Sequence, residues 1–437
     1  MKILKVIHGY PPKYSAGSEV YSKTLCHQLV DMGHEVMVFT RQEDAYQQEY
    51  SIEWDVDPDC KSIRLCLVNM AHSRDGYRHP DIDQAFANLL DEWQPDIVHV
   101  GHLNHLSTSL LIEAKKRNIP IIFTLHDFWM MCPRGQFLQA INSKTADLYP
   151  ACSGQNDQKC AEKCFFRYFS SDDDKQDLAY WSSWVNKRME HAKEICSLVD
   201  LFIAPSRYLM DRFINDFSLR HDNTIYLDYG FHLERLQNRK RVEEKEFVFG
   251  YIGTHKQAKG IHHLIDAFSK LEGNAKLKIW GEEMGLFTQS LKKIASQHSL
   301  SIEWMGGYRN ENIVTDVFNK IDAIVVPSIW GENSPLVLHE AMGVGVPAIT
   351  ADYGGMREYI HHEVNGLLFA HRNPKDLAKQ MQRLAENPQL AKKLGARGYL
   401  QSPDGKIPNI IEHTKEICKL YKRCEDGKKT RPLAHHI

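Results

Sequence analysis

Glu332 and Glu340 sit in the stretch IDAIVVPSIWGENSPLVLHEAMGVG, residues 321–345. The apolar run ending at Pro327–Ser328 reads as a buried strand. Ser334 then reads as N-cap and Pro335 as the first residue of a helix that runs to Gly343 or Gly345. Backbone N–H groups at Asn333, Ser334, Leu336 and just beyond can bind a phosphate there. Pro335 has no N–H and can only shape the turn. Carboxylates beside an anion site are electrostatically unfavourable unless they bond something neutral, and sugar hydroxyls fit as donors. Taken alone, Glu332 is equally a surface loop residue and Glu340 equally the partner of a lysine.

Three further places can carry chemistry. Gly253-Thr254-His255-Lys256-Gln257-Ala258-Lys259-Gly260 follows a strand, and a lysine in such a corner neutralises a diphosphate as a point charge. A solvated lysine is the plainer reading of the same residues. Thr124-Leu125-His126-Asp127-Phe128-Trp129 ends a strand, where side chains face a ligand cleft; a lone His126 is otherwise a hydrogen-bonded structural histidine. Gly17 lies in the first loop, where the absence of a Cβ lets backbone approach a ligand. The same loop, HGYPPKYSAGS, lacks the G-x-G-x-x-G of dinucleotide binders, and the second strand ends Phe39-Thr40-Arg41 without a ribose-binding acid, which argues against a dehydrogenase.

Cys132, Cys152, Cys160 and Cys164 cluster in one stretch, and Cys160-x3-Cys164 has a spacing found in structural zinc sites. They are a candidate four-thiolate zinc set tying down an aperiodic loop, or else unrelated thiols. His262–His263 and His361–His362 are adjacent pairs that do not share a helix face and read as surface residues. No acidic metal–diphosphate motif stands at a strand end, so catalysis is expected to need no metal or other cofactor.

Strand–helix alternation must position these residues. Strands are expected at Lys2–His8, Val36–Thr40, Asp96–Val100, Ile119–Leu125 and Leu201–Ala204. A second series follows at Phe247–Ile252, Lys276–Trp280, Ser301–Met305, Ala323–Pro327, Pro347–Thr350 and Gly366–Phe369. Alternation of this kind makes parallel sheets with helices on both faces. The expected fold is therefore α/β, two doubly wound Rossmann-like domains facing each other across a cleft. The first spans residues 1–228, with a cysteine-containing insertion at about 142–171. The charged run QNRKRVEEKE marks a linker within 229–246, the second domain spans 247–405, and a helix and tail at 406–437 are free to pack back on the first.

At 437 residues two domains are the natural count. The formal net charge of -2 excludes the basic excess of a nucleic-acid binder. That near-zero value is a cancellation. Residues 1–228 hold 24 Lys+Arg against 32 Asp+Glu, and the remainder 30 against 24, so an anionic ligand belongs with the second half. No apolar run reaches the ~18 residues a membrane span needs. MKILKVIHGYPP does not read as a signal peptide, so a cytoplasmic protein is expected, with peripheral contact at the inner membrane face allowed.

Taken jointly, the Glu-x7-Glu pattern after a Pro-Ser strand end resembles the retaining glycosyltransferases of glycosyltransferase family 4. So do Gly345-Val346-Pro347, Tyr353-Gly354-Gly355-x-x-Glu358 and Asn365-Gly366-Leu367-Leu368, and the opening His8-Gly9-Tyr10-Pro11-Pro12, Ala16-Gly17-Ser18-Glu19 and Gly33-His34-Glu35-Val36. The resemblance covers about residues 1–400 and implies the GT-B fold. It implies transfer of a sugar, with retention, from a UDP- or GDP-linked donor to a carbohydrate or lipid-linked acceptor in cell-surface polysaccharide or glycoconjugate synthesis. It assigns Glu332 to the donor sugar, Glu340 to the ribose, His126 to the reacting centre, and Gly17, Thr254, Lys259, Asn333, Ser334, Pro335 and Leu336 to the donor. Thr254 stands where the family often has Arg, leaving His255, Lys256 or a backbone N–H to take that place, and Ala16 replaces one of two usual glycines. A phosphorylase of the same fold and a catalytically silent binding protein are the alternatives. Glu340 argues against the first, and the joint presence of Glu332, Glu340, Lys259 and His126 against the second.

Overall fold

The computed structural model describes residues 1–71, 76–140, 149–170, 173–242 and 244–429. The apolar runs form two parallel sheets. The first contains β1 (Lys2–Val6), β2 (Glu35–Gln42), β3 (Ile52–Val56), β4 (Arg64–Asn69), β5 (Ile97–Val100), β6 (Ile121–Thr124), β7 (Leu201–Ala204) and β8 (Thr224–Tyr226). Their order is β3-β4-β2-β1-β5-β6-β7-β8, parallel throughout except for β3 against β4. The second contains β9 (Phe247–Ile252), β10 (Ala275–Trp280), β11 (Ile302–Gly306), β12 (Ala323–Val326), β13 (Ala348–Ala351) and β14 (Gly366–Phe369). Its order is β11-β10-β9-β12-β13-β14, all parallel. Strands β5, β6, β7, β12 and β13 are buried along their whole length, which is why they read as unbroken apolar runs.

Three strands lie outside the expected set. β3 is an exposed edge strand, and its Glu53, Trp54 and Asp55 hide it from an apolar-run reading. Trp54 is covered by the Arg64 guanidinium 4.8 Å from its ring. β4 pairs with it, and β8 is only three residues long. The first helix spans Gly17–Asp31, and a long one spans Asp174–Ser197, capped by the Asp173 carboxylate accepting from Lys175 and Gln176 N–H.

The chain divides into two compact units, residues 1–135, 154–230 and 408–437 in one, 136–153 and 231–407 in the other. In the first unit the helix Ile410–Lys429 rests against the sheet. His413 shares a 2.9 Å hydrogen bond with Tyr21, and Tyr421 one of 2.7 Å with His99 on β5. In the second, the charged run of the expected linker is not loose. Arg239 donates to the Phe318 and Ile321 carbonyls at 3.0 and 2.8 Å, and Arg241 forks onto Asp322 at 2.7 and 2.8 Å. Glu244 takes Lys276 and Lys278 of β10.

The expected insertion at 142–171 is only partly as read. Residues 141–148 and 171–172 lie outside the described residues. The flanks pair as a short antiparallel arm, with Cys152 N–H donating to Phe137 O and Gln139 N–H to Pro150 O. Asp157–Cys160, Ala161–Phe165 and Phe166–Tyr168 are helical turns rather than aperiodic chain. The four cysteines of the expected zinc set fall in and around this region. Cys160 and Cys164 are buried in these turns, Cys132 is buried where its N–H reaches Phe128 O, and Cys152 is on the arm. Among the described residues no group of three or more His, Cys, Asp or Glu is arranged to hold a metal ion.

Candidate donor and reaction sites

In the second unit two strand ends bring the chemistry together. After β9 the chain turns through Gly253–Lys256 into a single turn at Gln257–Lys259, then through Gly260 into the helix Ile261–Phe268. Gly260 has φ +71, and a Cβ on it would stand 1.8 Å from the Pro327 carbonyl oxygen. Only glycine lets this corner lie flat on the end of β12, where Ile329 N–H bonds Ala258 O at 3.0 Å. Gly260→Ala should therefore lower stability by more than about 2 kcal/mol, read as a fall in Tm. The same contact sets Lys259 beside the loop after β12.

There the Lys259 ammonium is 2.8 Å from Glu332 Oε1. The same oxygen accepts from Ser328 Oγ at 2.6 Å and Trp330 Nε1 at 2.8 Å. Glu332 is 5% exposed, so the surface-loop reading is ruled out. Its backbone is held too, since Gly355 N–H donates to Glu332 O at 2.7 Å and a Cβ on Gly355 would collide with Asn333 O at 1.6 Å. Asn333 and Ser334 are also buried. The Trp330 indole was not among the expected residues; its place two residues before Glu332 was the available signal.

The helix that follows is Leu336–Gly343, one residue shorter at its start than expected. Pro335 has ψ 118, an extended value, so it precedes the helix and Ser334 is not the cap. Pro335 contributes no side-chain cap to this N-terminus, the positive end of the helix dipole, and Leu338 N–H bonds the Pro335 carbonyl at 3.0 Å. Glu340, one turn along, is 4% exposed and pairs with Arg235 at 2.5 Å. Arg235 also donates to Asn310 through its backbone and side-chain oxygens at 3.0 and 2.7 Å. Arg235 was missed, because the segment Leu233–Leu236 has no periodic pattern that would single it out. Glu340 thus has an arginine partner where a lysine was the alternative. Burial and the Glu340 carboxylate push the Tyr308 hydroxyl above its ordinary range.

Two candidates for the second positive charge can now be separated. His255 is buried, shares a hydrogen bond with Thr288 at 3.2 Å, and burial holds its imidazole below the usual histidine range. It is therefore uncharged at neutral pH, whereas Lys256 is exposed. The Thr254 carbonyl accepts from the Tyr251 hydroxyl at 3.0 Å and fixes the turn. The adjacent-histidine reading also needs correction for His262, which is only part-exposed, has its ring centroid 4.3 Å from that of His263 at a tilt, and is pushed down to about 3 by burial.

In the first unit His126 follows β6 directly. Its Nδ1 is 2.6 Å from the Tyr229 hydroxyl, the two rings stack at 5.7 Å, and the Tyr21 ring meets it edge-on. Burial first, then the nearby Lys5 and His102, holds this imidazole well below the usual histidine range. With Gly101, His102, Asp127 and Trp129 it lines an open pocket at the strand ends. Gly17 is the first residue of its helix, and the preceding Ala16 has φ -75, so the alanine is unstrained there. Glu19 in the first turn accepts from Ser18 Oγ at 2.7 Å and stands 3.3 Å from His8. Tyr229, missed in the sequence, carries no local motif.

Two parallel-sheet Rossmann-like units of this kind define the GT-B class of fold. Sucrose-phosphate synthase from Thermosynechococcus elongatus is similar over 98% of this chain and 99% of its own, with a TM-score of 0.70 at 17% identity. Anabaena HepE in complex with UDP-glucose is similar over 97% and 100%, with a TM-score of 0.66 at 16% identity. At these identities the likeness is one of fold. The family model Glycosyltransferase Family 4 matches residues 15–235, and Glycosyl transferases group 1 matches 234–401. The chain belongs to this glycosyltransferase family. Among relatives, an uncharacterized glycosyltransferase of Methanocaldococcus jannaschii is 24% identical over 394 residues, 86% of this chain and 87% of its own. A 42.6 kDa protein in the cps region of Klebsiella pneumoniae is 26% identical over 375 residues, 82% and 87%. Among the described residues no helix is long and apolar enough to cross a membrane.

Proposed function

We propose that this glycosyltransferase moves a sugar from a nucleoside-diphosphate donor to an acceptor hydroxyl with retention of anomeric configuration, without a catalytic metal, in cell-surface polysaccharide or glycoconjugate synthesis. The observation that carries the proposal is the convergence of Lys259 and Glu332. Residues 73 apart in sequence meet at 2.8 Å beside a helix N-terminus. A cation beside the positive end of a helix suits a diphosphate, and a buried carboxylate fixed by three donors suits the hydroxyls of the attached sugar. That HepE is similar in fold and binds UDP-glucose supports the donor class. The relative in a cps region supports the polysaccharide setting.

In this reading Glu332 orients the donor sugar, Glu340 takes the ribose, and Lys259 with Asn333, Ser334 and Leu336 holds the diphosphate. Pro335 and Gly17 shape the approaching backbone. Breaking the C1–O bond to the diphosphate is matched by a new C1–O bond to the acceptor on the same face. The acceptor proton passes to the departing phosphate oxygen, so no carboxylate nucleophile is required. Catalysis rests on positioning and on charge stabilisation of the departing diphosphate. The uncharged His126 serves as a hydrogen-bonding group rather than a cation.

Thermal denaturation with UDP, GDP and ADP tests the donor site. A saturable rise in Tm with at least one nucleotide at millimolar concentration is expected. No rise with any of them would favour the silent binding protein.

A further inference from the structure

Lys5 has no explanation in the account so far. It lies mid-strand in β1, between Val38 of β2 and His99 of β5, and is 1% exposed. Its ammonium nitrogen has no hydrogen-bond partner among the described residues and lies 6.0 Å from the Tyr21 ring. A buried amine without a partner is costly, so a fold that keeps one needs a reason. Its position supplies one. A methyl group added to Gly101 would stand 3.3 Å from Lys5 Nζ and 3.4 Å from His126 Nε2, with Ile7 Cδ1 at 2.9 Å, so both nitrogens come within contact distance of one point beside Gly101.

We propose that Lys5 is a positioning residue for His126, its buried amine holding the imidazole uncharged so that His126 meets a ligand as a neutral hydrogen-bonding group. The idea rests on the reading of His126 as part of the reaction site. The groups around His126 come from five elements, with His8 beyond β1 also coupled to it and Asp127, its chain neighbour, lining the same pocket. Lys5 is on β1, Tyr21 on the helix Gly17–Asp31, and His99 on β5, with His102 just beyond it. Tyr229 and Asp228 follow β8, and His413 is on the helix Ile410–Lys429. Asp228 acts on His413 and Tyr21. Burial brings the Lys5 amine down to about 8, so it is still mostly an ammonium at pH 7. A cation there disfavours a second cation on His126, and removing it favours protonation of the imidazole.

The test is histidine-labelled NMR of the full chain, wild type against Lys5→Met, which keeps the volume and removes the amine. In the wild type the His126 ring signals should move as the pH passes about 8, where Lys5 loses its proton, and should show a neutral imidazole at pH 7. In Lys5→Met the inflection near 8 should vanish, and the protonated-to-neutral ratio of His126 at pH 6 should rise at least about tenfold. The acid limb of turnover should move to higher pH with it. Should the variant fail to fold, the wild-type inflection alone decides. A wild-type His126 that does not respond near pH 8, or one that titrates identically in the two proteins, overturns the proposal. If the ring titration moves and the turnover limb does not, the hold of Lys5 on His126 stands and the catalytic reading of His126 falls.

Discussion

Glu332→Ala should lower turnover at least about 10³-fold, to the level of background nucleotide release. The carboxylate is buried, and one oxygen gathers the Lys259 ammonium, the Ser328 hydroxyl and the Trp330 indole N–H. These donors fix its direction before a ligand arrives, so the cost of orienting it is met by folding rather than by binding. Losing it removes the contact to the donor sugar and also leaves the three donors without their common acceptor. A stability loss of about 1–3 kcal/mol should accompany the kinetic one. Glu332→Gln separates the two effects. It preserves the shape and one acceptor oxygen, so Tm should recover much of the loss while turnover stays low. Full activity in Glu332→Ala would remove the site assignment.

Lys259→Ala should act on binding more than on chemistry, raising the donor KM by about 10²-fold with a smaller fall in kcat. The lysine is about one-third exposed and its charge is now balanced by Glu332. An arriving diphosphate offers a doubly charged alternative, so the ammonium can turn to the ligand while Glu332 takes up sugar hydroxyls. Because the lysine acts as a point charge, the KM of the wild type should rise with ionic strength and that of the variant should rise less. Lys259→Arg should restore part of the affinity, since the charge survives and the compact ammonium does not. An unchanged KM in Lys259→Ala would place the diphosphate elsewhere.

Much of this was legible because it is local. The buried strands β1, β5, β9 and β12 announce themselves as apolar runs, and glycines mark the corner after β9. Glu332 and Lys259 could be named from their places at strand ends. What the sequence hid is contact between distant residues. Arg235 reaches Glu340 across 105 positions, and Tyr229 reaches His126 across 103. Neither lies in a periodic segment. Lys5 was invisible for the opposite reason, since a lysine within a short N-terminal strand reads as an edge or surface residue until burial is seen. The helix start moved by one residue because Pro335 fixes φ but not ψ, and its extended ψ delays the first helical turn.

The central claim is that the Glu332–Lys259 corner holds a nucleotide-sugar whose sugar is transferred with retention. The most direct measurement is a panel of UDP- and GDP-sugars with candidate acceptors, following nucleoside diphosphate release and the anomeric configuration of the first-formed product by NMR. The account predicts release with at least one donor, dependence on Glu332, and a product with the configuration of the donor. A product of inverted configuration, or transfer that persists in Glu332→Ala, would contradict it.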